Sequence, residues 1–336
     1  MKAALVKEHG GPEVLAYESF HDPVAAPGEV IVRVRATSVN RADTVIRRGY
    51  PGLAVPLPHI LGGDIAGEVA SVTPEADGWR AGDRVVCYPM ALEGGYQGDE
   101  FWSVGWQYFG MHRKGSYAEY VNVPAASLLR LPDHVSFEAA ACLPVAALTA
   151  EHVLDVAGLR EGQTLFFWGG SGGLGTCLVQ LAVGRGIRVI TTAGSAERCD
   201  ALRELGASHV FHRDDAAIVQ SVKAIVPRGA DAVLDFVGPT TFARSFELVR
   251  KGGTILWCGM ITGREVTVNI QALYLKHASI RGLYLGSMAE FRSVVEAVSS
   301  GALRPRVHAV LPLSEAARAH RLLESGEVFG KVVLVP

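Results

Sequence analysis

The chain contains no Cys-x-x-Cys pair, which removes zinc knuckles and dithiol redox motifs from consideration. Its five cysteines, Cys87, Cys142, Cys177, Cys199 and Cys258, are scattered, the nearest two lying 22 positions apart. An odd, dispersed set fits the reduced thiols of a cytoplasmic protein. Charge of one sign is not in excess either: 32 Lys+Arg stand against 34 Asp+Glu, a net charge of −2. A nucleic-acid binder needs a basic face and a polybasic membrane-surface protein needs a cation excess, so neither class is expected. The start of the chain, MKAALVKE, lacks a long apolar core, so no signal peptide is expected. The longest uncharged stretch, 162–184, holds seven glycines and divides into strand, turn and helix rather than a membrane span.

What is present is enough apolar material for a large core. Of 336 residues, 49% are hydrophobic and 20% charged, and the length corresponds to roughly two domains. The first third is β-rich: residues 29–36, 67–72, 83–87 and 118–123 read as strands. Between Cys87 and Tyr117 lies an irregular aromatic segment with Tyr88, Tyr96, Phe101, Trp102, Trp106, Tyr108 and Phe109, long enough to be a functional loop or a small lobe. From Ser136 the chain alternates helix and strand. A helix opens there and is expected to be interrupted near Pro144. Apolar strands follow at 164–168, 188–192, 209–211, 232–236, 254–258 and 279–283, with helices at 174–183 and 196–205. This is the pattern of a parallel sheet covered on both faces. The tail, 307–311 and 332–335, is β again and is expected to rejoin the first domain.

Residues 169–175, GGSGGLG, close one apolar strand and open a helix. A tight glycine turn there lets the backbone approach a pyrophosphate at the helix N-terminus, so Gly169, Ser171, Gly172, Gly173, Leu174 and Gly175 are candidate dinucleotide contacts. At the end of the next strand an acid would bind the ribose 2′-hydroxyl of NAD. Here Gly194 and Ser195 stand in its place, and Ser195, Arg198 and Arg213 are the candidate contacts for the 2′-phosphate of NADP(H). Glu197, nearby, argues the other way.

The chain resembles the medium-chain dehydrogenase/reductase superfamily, in its zinc-independent quinone oxidoreductase/enoyl reductase-like branch, over essentially its full length. The resemblance rests on 61–69 (LGGDIAGEV), 82–85 (GDRV), 115–121 (GSYAEYV), 143–150 (LPVAALTA), the glycine loop and 326–333 (GEVFGKVV). It implies an α/β protein: a GroES-like β-rich catalytic domain from 1–124 and 288–336, and a Rossmann doubly wound parallel-sheet domain from 125–287. A cleft binding the nicotinamide is implied as well. It also implies a homodimer or homotetramer. Thr149, Gly238, Cys258, Leu283 and Lys331 are assigned to the cofactor by this resemblance.

Zinc-containing members carry cysteine, histidine and cysteine ligands where this chain has Asn40, Gly63 and Val145, so no metal is expected. Asp43 and Asp64 are expected to be held by backbone and arginine partners, and His59 to be a residue leading into a strand. Residues 88–114 occupy the place of the family's structural-zinc lobe, with only Cys87 at the start, so a metal-free lobe is expected. Its rings either pack as a small core, line the cleft or form an interface. The segment 40–51 looks like the branch's substrate side. Asn40 and Tyr50 are the candidate catalytic residues, Asn40 as donor to the substrate oxygen and Tyr50 as proton donor, with Asp43 beside them. The expected activity is NADPH-dependent hydride transfer to quinones or α,β-unsaturated carbonyls. The alternatives are a metal-free alcohol or carbonyl dehydrogenase, and a non-catalytic NADPH-binding protein.

Overall fold

The computed structural model describes residues 1–50, 52, 54–92, 100, 103 and 105–336. The chain divides into two compact units, Met1–Leu148 with Ser287–Pro336, and Thr149–Gly286. Sequence alone puts the first boundary after 124 and the second after 287. Residues 125–148 stay with the first unit because the strand Leu128–Arg130 pairs antiparallel with Arg84–Cys87, a long-range pairing that leaves no local signal.

The first unit is built on the strand Glu29–Ser38. Val30, Val32, Val34 and Ala36 alternate inward while Arg33 faces solvent, the period-two pattern of a strand with one buried face. It pairs antiparallel with Ile65–Val72, Tyr120–Pro124 and Lys331–Val335. Lys331–Val335 pairs in turn with Val307–Pro312, so the tail does rejoin the first unit's sheet. A second, three-stranded sheet joins Leu15–Ser19, Lys2–Val6 and His59–Ile60. A core cluster on the larger sheet holds Val30, Val32, Val34, Ile65, Val69, Val85, Val121 and Phe109. Each such side chain contributes roughly 1.5–3 kcal/mol on burial.

Phe109 therefore packs into the main core rather than a separate aromatic one. Tyr88 and Tyr108 are also buried, and Trp106 is half-buried, edge-on to His112 with ring centres 5.0 Å apart. Tyr96, Phe101 and Trp102 lie outside the described residues.

The second unit is a six-stranded parallel sheet. Its order is His209–His212, Arg188–Ala193, Thr164–Phe167, Ala230–Asp235, Val249–Trp257, Ser279–Gly282. Chain order runs outward from the central Thr164–Phe167 strand in both directions, which creates a switch point at the carboxyl ends of the central strands. Those strands are buried on both faces, so they read as continuous apolar runs. The helix opened at Ser136 begins as expected, Ser136 Oγ accepting from the Ala139 N–H. Pro144 then widens the backbone into a π-turn, Leu143–Ala147, before helix Leu148–Ala157. This run, 137–157, is long and apolar enough to cross a membrane, yet 78% of its apolar window is buried inside the fold.

Candidate active site

Asn40 stands between a strand and a helix. The strand Glu29–Ser38 delivers it to the N-cap of helix Arg41–Arg48. Asp43, three residues on, reaches back to accept the Asn40 backbone N–H at 2.8 Å, a capping arrangement that favours an acid at this position. The second Asp43 oxygen accepts the Gly62 N–H at 3.2 Å. Tyr117 Oη donates to Asp43 at 3.3 Å. Asp43 is fully buried. Burial, reinforced by the Asp64 charge, pushes its carboxyl up to about 7 against the pull of these N–H donors.

Behind Tyr117 runs a buried chain of donors. Arg47, completely buried, has only N–H groups to offer, so its 2.8 Å contact to His320 Nδ1 makes that nitrogen the acceptor. The imidazole then carries its proton on Nε2 and donates to Tyr117 Oη at 3.1 Å. Arg47 also donates to Gly10 O and is ion-paired with Glu324 at 2.7 Å. Burial, with the Arg47 and Arg48 charges, pulls His320 down to about 3. Burial and the Asp43 charge lift the Tyr117 phenol well above its ordinary value.

Asp64, also fully buried, is the second anchor. It accepts from Ser38 Oγ, from Asn40 Nδ2 at 2.8 Å and from the Val145 N–H at 2.9 Å. Lys331 Nζ lies 3.3 Å away and donates to Val39 O at 3.0 Å and to Asn40 Oδ1. The cation beside Asp64 is thus a lysine, and Asp43 has a tyrosine, where arginine partners were expected. The Lys331 ammonium is directed at these three oxygens of the first unit. Tyr50 is half-buried and follows Gly49, whose φ of 95° closes the helix. His59 opens its short strand, is buried, and has no hydrogen-bond partner for Nε2 among the described residues. Burial holds it neutral, at about 4.

The three positions that carry zinc ligands in metal-containing relatives offer no donor set. Asn40 is committed to Asp64 and Lys331, and Val145 presents its backbone N–H. A Cβ on Gly63 would lie 2.1 Å from Tyr108 Oη. The tyrosine fills the space a histidine there would need. Among the described residues no three His, Cys, Asp or Glu side chains converge.

In the second unit, parallel register gathers residues distant in sequence along the carboxyl edge of the sheet. Gly169–Gly175, Gly194–Ser195, Gly238, Cys258 and Leu283 each follow directly after a strand or its turn. Gly170 and Gly175 pack against one another: a Cβ on Gly175 would meet the Gly170 carbonyl oxygen at 2.5 Å, and one on Gly170 would meet Thr191 at 2.6 Å. Helix Gly173–Gly184 starts at Gly172 with no side-chain cap, so its first N–H groups are left to an anion. The residues fit a dinucleotide pyrophosphate.

Asp235 fixes the next loop by accepting from the Val237 and Gly238 N–H groups and from Thr241 and Ser245. Desolvation and the Asp235 charge push the Cys258 thiol up to about 12, so it stays protonated. Ser195 caps helix Ala196–Glu204 and accepts from Arg198 Nε at 3.3 Å. A Cβ on Gly194 would lie 3.1 Å from Arg213 Cζ and 3.2 Å from Arg198 Nη2, so two guanidinium groups meet over this glycine. Thr149 is buried in helix Leu148–Ala157.

Residues 26–133 match the alcohol dehydrogenase GroES-like domain and residues 173–300 the zinc-binding dehydrogenase family model. The quinone oxidoreductase of Pseudomonas aeruginosa is 30% identical over 340 residues, 98% of this chain and 97% of the relative. A solved NAD-dependent alcohol dehydrogenase superposes with a TM-score of 0.95 at 36% identity, covering 100% of both chains. A mycobacterial protein complexed with NADPH superposes at 0.87, with 31% identity and 100% of both chains covered.

Proposed function

Because the chain belongs to the medium-chain dehydrogenase/reductase superfamily, in its quinone oxidoreductase-like branch, we propose that this oxidoreductase is NADPH-dependent and zinc-independent and reduces quinones and α,β-unsaturated carbonyls. The observation that carries the reaction class is the hub around Asp64. Where a metal would polarise a carbonyl, the chain has one oriented amide, Asn40. A saturated carbonyl gathers nearly a full charge on one oxygen during hydride addition and needs several donors or a metal. A conjugated acceptor spreads that charge, and a single donor suffices. The reduced nicotinamide supplies the hydride when bound. Asn40 donates to the substrate oxygen, and Tyr50 delivers the proton to an enone. Quinone products take theirs from water.

The paired guanidinium groups of Arg198 and Arg213 support NADPH, since a 2′-phosphate is recognised by forked, charge-assisted hydrogen bonds. The five free cysteines, four of them buried, suit a reducing cytoplasm. We take the sheet edge at Ser279–Gly282 as the place for a second copy of the chain, since its four residues are exposed, as are Ile270, Tyr274 and Leu275 of the preceding helix.

The test is NADPH oxidation measured with one quinone, one enone and one saturated ketone. Faster turnover of the ketone refutes the reading in favour of a metal-free alcohol or carbonyl dehydrogenase. That second reading draws on the 36% identity to a solved alcohol dehydrogenase.

A further inference from the structure

Asn40 has two chemically different edges, and its neighbours leave no choice between them. Lys331 carries only N–H donors, so it must face Oδ1. The Asp64 carboxylate only accepts, so it must face Nδ2. Asp64 is itself immobilised by Ser38 Oγ and the Val145 N–H. The Asn40 main chain is held by Asp43 on its N–H, and Lys331 donates to the preceding carbonyl of Val39. With both carboxylate and ammonium nearly solvent-free, at 0% and 5% exposure, these contacts act in a low-dielectric surround where they are strong. One donor of this assembly is left over. The second N–H of Asn40 Nδ2 has no partner among the described residues, and Asn40 is 7% exposed. Donation into Oδ1 by Lys331 also draws electron density from the amide and sharpens that N–H as a donor.

We propose that the buried Lys331–Asp64 pair is a positioning device that locks the Asn40 amide and aims its remaining N–H at the carbonyl oxygen of the substrate. This rests on the proposed reductase function. A buried ion pair is weak evidence for stability by itself, because desolvation offsets its attraction. Its geometry around an amide that either rotamer would otherwise satisfy is what gives it a task. Lys331 and Asp64 do not touch substrate; they act through Asn40.

Two readouts test the device separately from the reaction. In ¹⁵N–¹H spectra, the Asn40 side-chain amide, assigned by its loss in Asn40→Ala, should give one sharp, exchange-protected proton pair. Lys331→Met, and the charge-neutral double variant Lys331→Met/Asp64→Asn that strands no buried carboxylate, should broaden or duplicate that pair. In turnover with an enone, Lys331→Met should lower kcat about 10- to 100-fold while leaving NADPH affinity within about twofold, because one oxyanion donor is misdirected. Added to Asn40→Ala it should lower kcat no further. An amide pair unchanged in both Lys331 variants, or losses in kcat that simply multiply, overturns the positioning role. A wild-type chain that reduces neither quinone nor enone refutes the reductase reading instead, and the amide spectra then still decide whether the pair locks Asn40.

Discussion

Replacing Gly194 by aspartate should invert the cofactor preference. A Cβ at this position lies 3.1 Å from Arg213 Cζ and 3.2 Å from Arg198 Nη2. The new carboxylate would therefore sit between the two guanidinium groups that we assign to the 2′-phosphate. It would neutralise both and repel a phosphate arriving there. Each charge-assisted contact to an anion is worth roughly 1.5–3 kcal/mol, so losing one weakens NADPH binding about 10- to 100-fold, and losing both about 10²- to 10⁴-fold. The same carboxylate accepts a hydrogen bond from a ribose 2′-hydroxyl, the contact an acid makes at this strand end in NAD-binding folds. NADH binding should then hold or strengthen by up to about tenfold. Arg213 already has a modest competitor in Asp214 at 3.7 Å, which places Arg198 as the larger contributor. Titration of NADPH and NADH against wild type, Gly194→Asp, Arg198→Ala and Arg213→Ala reads all four quantities. Wild-type protein that binds NADH as tightly as NADPH, or a Gly194→Asp chain that loses both cofactors equally, refutes the assignment of these arginines.

Elemental analysis after purification without a metal-affinity tag should find no stoichiometric zinc; one zinc per chain with activity lost to a chelator would reverse that expectation. Tyr50→Phe should lower enone turnover about 10²- to 10⁴-fold with NADPH affinity intact and affect quinone turnover less; unchanged enone turnover removes Tyr50 from the mechanism. His320, pulled down to about 3, binds its proton less readily folded than unfolded, so the stability it contributes is complete above about pH 6.5 and is lost as pH falls toward 3. His320→Gln should lessen that acid-side loss by on the order of 2 kcal/mol between about pH 6.5 and 4.5, with His59 keeping a residual slope of the same sign and Asp43 one of opposite sign; denaturant titrations with identical slopes refute it. Ile280→Lys at the exposed sheet edge should shift sedimentation toward monomer if a second copy pairs there.

Local periodicity made much of the fold legible. The alternation of Val30, Val32 and Val34 and the six apolar runs ending near Phe167, Ala193, His212, Asp235, Trp257 and Gly282 are strands in the structure. The glycine loop was legible because its geometry is settled within a few residues. Helix Arg41–Arg48 was not. Four of its eight residues are charged, and two of those, Asp43 and Arg47, are buried, so no apolar stripe announces it. What permits the burial of Arg47 is His320 and Glu324, more than 270 positions away, and Asp43 depends on Gly62 and Tyr117 as well as its own helix cap. The place of residues 125–148 was hidden in the same way, since Leu128–Arg130 is fixed by pairing with an earlier strand. In the site, the sequence singles out Asn40 as a donor to the substrate oxygen, but its partner Lys331 stands 291 positions away. Nothing in the local pattern says that the ammonium turns toward Asn40.

The altered zinc positions make sense together rather than singly. A metal centre is a cation surrounded by lone pairs, so its ligands must be groups that offer one: thiolate, neutral imidazole, carboxylate. Here the centre is an anion, Asp64, and what surrounds it must donate protons. Asn40 offers an amide N–H in place of a thiolate, and Val145 offers a backbone N–H that any residue carries. Gly63 has no side chain, so Tyr108 closes the space beside it. Lys331 supplies the positive charge that a carboxylate this deeply buried requires. Restoring a single thiolate at 40 would set a second anion against Asp64 and strip Lys331 of an acceptor, so each step back toward a metal site is unfavourable until the others are taken. The polarity of the hub is inverted as a unit, and the donor that inversion leaves over is the second N–H of Asn40, which we propose to be the one that meets substrate oxygen.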